Sequence, residues 1–103
     1  MAKLSLTANP SFKAKAGIPV AGGKSVDVEF VFRHRTKSQL DEFIKTRAEK
    51  SDADSLMDMA TGWDLEDEFN QESVALLLEN YIGAAVSVYR AYIDELVANR
   101  SKN

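Results

Sequence analysis

Arg33, His34, Arg35 and Lys37 are the residues whose types and spacing come nearest to a reactive cluster. Three cations so close could grip a phosphate backbone. His34 is the only histidine and there is no cysteine, so a metal site would lack its usual partners. No Ser or Cys nucleophile pattern surrounds it. The plain reading of the cluster is a solvated strand end, because charged runs are mostly exposed. Asp64, Glu66, Asp67 and Glu68 form a second group. A calcium loop would need the EF-hand spacing and its central glycine, and both are missing. Carboxylates working as acid and base would need a pocket with contrasting environments, which nothing in this run suggests. It reads as a solvated approach to a helix, where the helix dipole favours negative charge. Walker loop, dinucleotide fingerprint and nucleophile elbow are all absent. No catalytic residue, cofactor or metal is expected, and the chain does not read as an enzyme.

Aromatic residues offer a different kind of chemistry. Trp63, Tyr89 and Tyr92 each join an apolar ring to a polar tip, a combination common at interfaces and also in the cores of small domains. Met57 and Met59 could line an adaptable surface or fill gaps under a sheet.

The elements that must position these residues are legible from periodicity. Leu4-Ser5-Leu6 alternates before the turn pair Asn9-Pro10, as a first strand or a loose terminus. Phe12, Ala14 and Ala16 then alternate with lysines, and Gly17, Pro19, Gly22 and Gly23 read as a fairly long connection. Val26, Val28, Phe30 and Phe32 predict a half-buried strand, opposed by Asp27, Glu29 and Arg33 on its other face. The two segments form an antiparallel hairpin. Thr36 and Gln39 fit a capping box opening a helix with a stripe of Leu40, Phe43, Ile44 and Ala48. Ser51 or Asp52 caps a short helix carrying Leu56, Met57, Met59 and Ala60, ended by Gly62. Asn70 caps the next, with Phe69 and Val74 at hydrophobic-staple spacing and Leu77, Leu78 and Tyr81 continuing its face. After Gly83, a last helix presents Ala85, Val88, Tyr89, Tyr92, Ile93 and Leu96, fraying into the polar tail Asn99–Asn103. Strands fall at about 4–35 and helices at about 36–99. The expected fold is α+β: an N-terminal antiparallel hairpin or small sheet, then about four helices packed on one face, all in one domain over 1–103.

The totals constrain partners. No apolar run approaches the roughly 18 residues a membrane helix needs, and the N-terminus lacks a signal-peptide core, so no membrane is expected. Without cysteine, a cytosolic chain is the simplest reading. The net charge of −3 hides an asymmetry: residues 1–50 hold ten Lys/Arg against five Asp/Glu, and residues 51–103 hold three against eleven. The halves therefore carry +5 and −8. This suits mutual attraction, within a chain or between copies, better than nucleic-acid binding, given a pI near 5.1.

Three stretches in order carry a resemblance. They are Asn9-Pro10-Ser11-Phe12 with Gly17-Ile18-Pro19-Val20 and a Gly-Gly turn; Val28-Glu29-Phe30-Val31-Phe32-Arg33-His34-Arg35-Thr36 running into a helix; and Gly62-Trp63-Asp64-Leu65 through Phe69, Leu77, Leu78 and Tyr81 to Tyr89 and Leu96. Together they resemble the tail assembly chaperones of long-tailed bacteriophages and prophages, with Ile82 standing where a helix-opening proline would be natural. The resemblance implies a non-catalytic protein of the bacterial host cytoplasm. It would bind the tape measure protein, and tail tube subunits besides, during tail morphogenesis, and be absent from the mature virion. Longer frameshifted forms and homo-oligomers also occur in such families. On that reading the last two helices supply a groove and the hairpin an edge for the partner. Trp63, Tyr89 and Tyr92 are the candidate contacts, with Arg33 and Arg35 in the basic cluster steering encounter. Two alternatives from other classes are a small nucleic-acid-associated regulator using Arg33, Arg35 and Lys37, and a structural tail subunit.

Overall fold

Alternation and turn chemistry build the first layer. The structure, a computed structural model, describes residue 4 and residues 6–97. Strands β1 (Ser11–Val20) and β2 (Lys24–Arg33) pair antiparallel along their whole length, from Ser11↔Arg33 to Val20↔Lys24. Gly17 and Pro19 belong to β1, so the connection is shorter than their presence suggests: only Ala21, Gly22 and Gly23 lie between the strands. Gly22 and Gly23 have φ of 104° and 88°, which only glycine adopts without strain. Ala14, Ala16 and Ile18 of β1 and Val28, Phe30 and Phe32 of β2 are buried, while Lys13 and Lys15 are exposed. Val26 continues the same alternation but stays 54% exposed, beyond the cover of the helices. Leu4 and Leu6 form no strand and are 83% and 98% exposed. Ser5, which lay between them in the expected alternation, falls outside the described residues, as does the polar tail.

Helices α1 (Lys37–Arg47), α2 (Asp52–Met59), α3 (Gln71–Asn80) and α4 (Ala84–Val97) follow. Thr36 and Gln39 close the expected capping box reciprocally. The Ser51 hydroxyl accepts from the Asp54 amide, and the Asn70 side chain accepts from the Ser73 amide at 2.8 Å. Each cap satisfies an amide that the first turn leaves unpaired. The apolar stripe of α1 is narrower than its sequence suggests: Phe43 is buried, Leu40 half-buried, and Ile44 and Ala48 exposed. No helix among the described residues is long and apolar enough to cross a membrane.

The α2 segment ends sooner than expected, because Ala60–Trp63 leaves the helix to form strand β3 beside β2. Phe30 faces Trp63, Val31 faces Gly62 and Phe32 faces Ala60, with a register shift after Val31 that leaves Thr61 as the extra residue. The sheet order is β1-β2-β3. Asp64 extends the pairing beyond the strand: its amide donates to the Glu29 carbonyl, and its carboxylate accepts from the Glu29 amide, both at 3.0 Å. Asp64 is therefore a strand clamp, not merely part of a solvated run.

The helices bury their apolar faces on the sheet. Val74 from α3 and Ala84, Val88 and Tyr92 from α4 join Leu56, Met59 and the strand residues in one cluster. Small residues let α4 lie close to β1. At Gly83 an added Cβ would meet the Pro19 ring at 2.9 Å, so this glycine marks where α4 begins against the end of β1. Burying side chains such as Phe30 and Phe32 stabilises the fold by roughly 2–3 kcal/mol each before the entropy of ordering is subtracted.

Candidate partner-binding groove

The aromatic residues form a chain of ring contacts through the molecule. Phe69 meets Trp63 edge-on with ring centres 5.0 Å apart, and Trp63 meets Phe30 at 6.1 Å. Phe30 stacks on Phe32 at 5.5 Å, and Phe32 leans on Tyr92 at 5.1 Å. Phe43 stands edge-on to Tyr92 at 5.8 Å and stacks on Tyr89 at 6.4 Å. The three aromatic residues expected to meet a partner lie along this chain, but in different settings.

Tyr92 is inside the molecule. Its ring is fully buried, so it cannot touch a partner, and the expectation that it forms part of a binding surface is corrected. Its hydroxyl donates to the Arg33 carbonyl at 2.9 Å and accepts from Arg35 Nη1 at 2.7 Å. Burial pushes the phenol above its ordinary value, although the hydrogen bond and charge of Arg35 pull the other way.

Arg35 is likewise committed inward. Besides Tyr92, its Nη1 reaches the Asp58 carbonyl at 3.1 Å, an end-of-helix acceptor in the last turn of α2. A cation is favoured there by the helix dipole, and α2 has none in its own last turn. The guanidinium also lies 4.4 Å from the centre of the Phe43 ring, in cation–π range. Arg35 thus joins β2, α1, α2 and α4. Nη1 and one face of the guanidinium are taken up by these contacts, which speaks against the steering or phosphate-gripping role expected of Arg35. Arg33 and Lys37 remain exposed, but without Arg35 the basic cluster is reduced.

Tyr89 is half-buried between Phe43 and Arg47, whose guanidinium sits 3.8 Å from the ring centre. It is covered on the α1 side of α4, well apart from Trp63 in the ring chain.

Trp63 is the expected contact that opens onto a groove. Its indole Nε1 donates to the Asp67 carbonyl at 2.7 Å, folding the acidic loop back beside the ring. Together with Leu65 it lines a cleft of about 360 Å³ between the turn end of the hairpin and α3. Ile18, Val20, Val26 and Val28 supply the sheet wall; Leu76, Leu77 and Tyr81 supply the helix wall. No α4 residue lines it, so the expected groove between the last two helices lies instead between α3 and the hairpin. Val26, Leu76 and Tyr81 are 54%, 62% and 38% exposed, large apolar groups left in water around the opening. Asp67, Ser73 and Asn80 add polar groups to the lining.

Reasoning from sequence missed Leu76 and Val26. The signal was present in Leu76-Leu77-Leu78, since Leu76 falls off the stripe of Val74, Leu77 and Leu78 that faces the core. Geometrically, the cleft can take an apolar side-chain row from an added segment. Its acidic flank favours a segment bearing positive charge.

Residues 1–103, the whole chain, match the family described as phage tail assembly chaperone. No match was found among curated proteins or among solved structures.

Proposed function

The chain belongs to the phage tail assembly chaperones, and we propose that it serves tail morphogenesis by holding an apolar-striped segment of the tape measure protein in the groove between α3 and the hairpin. A tape measure protein is a long, largely helical chain whose apolar stripes would aggregate if left bare. A helix laid in the groove would present side chains at i, i+3, i+4 and i+7 to Val26, Trp63 and Leu76. The observation that carries this reading is the open apolar cleft, with Val26, Leu76 and Tyr81 exposed around a half-buried Trp63. Covering these groups would gain hydrophobic energy that the isolated chain does not realise. The role is non-catalytic, is exercised in the host cytoplasm, and ends when the tail is built, so the protein leaves no copy in the virion. Tail tube subunits are a second class of client for the same surface.

Co-expression with the tape measure protein tests this. The expected result is a soluble complex on size exclusion with light scattering, from a partner that is insoluble alone. Leu76→Asp should abolish the complex while leaving circular dichroism unchanged. Mass spectrometry of purified particles should not find the chain; finding it there would favour a structural tail subunit.

A further inference from the structure

We propose that Asp67 sets the specificity of the groove: the helix held there carries a lysine or arginine just beyond one end of its apolar row, paired with the Asp67 carboxylate. This rests on the reading of the groove as the seat of an apolar-striped helix, and adds which helices it accepts.

Asp67 is the one charged residue lining the cleft among the described residues. Its main chain anchors it, since the carbonyl takes the Trp63 indole at 2.7 Å and the carboxylate has no part in that bond. Among the described residues no lysine or arginine pairs with Glu66, Asp67 or Glu68. From Ser51 to Tyr89 the chain holds nine acids and no lysine, arginine or histidine, so neither the loop nor α3 supplies a counterion of its own. An occupant has to bring it.

The charge lies at one end of the cleft. Phe69 against Trp63, with ring centres 5.0 Å apart, puts the start of α3 beside β3. Gly83 against Pro19 puts the chain just past α3 at the turn end of the hairpin. Helix α3 thus runs along the cleft, with Asp67 before its first turn and Tyr81 after its last. From Ser73 to Tyr81 the helix rise amounts to about 12 Å. A partner helix with apolar residues at i, i+3 and i+7 spans about 10.5 Å by the same rise. One such row fills the cleft, and the next turn overhangs its ends. The far end holds exposed Tyr81 and Ile82, and Val20, whose strand partner is Lys24. A cation is therefore favoured at the Trp63 end and disfavoured at the other, which fixes the direction in which the helix lies. An exposed ion pair adds little in itself, so the selection shows mainly as rejection of a segment bearing an acid at that place.

Fluorescence anisotropy with two labelled synthetic peptides tests this. Both are alanine-based helices of about four turns, held helical by a side-chain bridge, with leucines at i, i+3 and i+7. One carries lysine at i−4 and the other glutamate. Wild type should bind the lysine peptide about tenfold more tightly at low salt, with the gap shrinking as salt is added. Asp67→Lys should reverse the preference and Asp67→Asn should remove it, both with unchanged circular dichroism because the loop is held by its main chain. Leu76→Asp should weaken both peptides. Failure of the lysine peptide to bind, equal affinities in wild type, or an unchanged preference in Asp67→Lys would overturn the proposal. Equal affinities together with tape measure capture that Leu76→Asp abolishes would overturn it and spare the reading of the groove. The expected preference with no capture of the tape measure protein would support it and overturn only the choice of client.

Discussion

Arg35 and Tyr92 carry the polar connections of the interior, and two predictions belong to them. Arg35→Ala removes a charged donor from both the Asp58 carbonyl and the Tyr92 hydroxyl, and uncovers the Phe43 ring. Denaturation by urea should show a loss of about 2–4 kcal/mol. Tyr92→Phe leaves the ring packing but orphans the Arg33 carbonyl and one Arg35 donor, costing about 1–2 kcal/mol at neutral pH. The pH dependence has a definite sign. The folded phenol titrates above the unfolded one, so its contribution is complete below about pH 10 and is lost as pH rises through the raised value. The stability gap between wild type and Tyr92→Phe should therefore narrow above pH 10; a gap that widens there would contradict the assignment. The residue scale also shows why Tyr92 was read as a contact. Spacing put it on the inner face of its helix together with Tyr89, but spacing could not show that Arg33 and Arg35 would satisfy its hydroxyl from β2. A polar tip looks solvent-bound until its buried partners are known.

Elements bring their own tests. Gly83 lies so close to Pro19 that Gly83→Ala must push the start of α4 off β1, at a cost of about 1–3 kcal/mol measurable as a lower Tm. Asn70→Ala should cost about 1 kcal/mol by leaving the Ser73 amide without its cap. The caps at Thr36, Ser51 and Asn70 could be read from sequence because they are local: a side chain and an amide a few residues apart decide them. Strand β3 could not. Ala60-Thr61-Gly62-Trp63 is short, contains glycine and follows a helical pattern, and it becomes a strand only because β2 offers an unpaired edge and Asp64 clamps Glu29. The hairpin turn was misjudged for a related reason. Gly17 and Pro19 look like breakers, yet both are tolerated in β1, which lies at the edge of the sheet.

For the whole molecule, the family and the α+β layout were legible in the order of motifs, whereas the groove was not. It arises where α3 crosses the turn end of the hairpin, joining residues as distant in sequence as Ile18 and Tyr81. Of the three aromatic residues expected to meet a partner, Trp63 lines that cleft, while Tyr89 and Tyr92 sit elsewhere along the ring chain. The acidic loop folds beside the groove through Trp63 and Asp67. A surface built in this way predicts that substitution at the groove rim affects association and spares folding.

The most direct test of that claim is the affinity of purified wild type and Leu76→Asp for a soluble fragment of the tape measure protein, measured by calorimetry. Leu76 is 62% exposed, so the substitution should leave the melting temperature nearly unchanged. The predicted result is a loss of about 2 kcal/mol or more in binding, close to thirtyfold in Kd. Equal affinities for the two proteins would contradict the account and move the binding surface away from the groove.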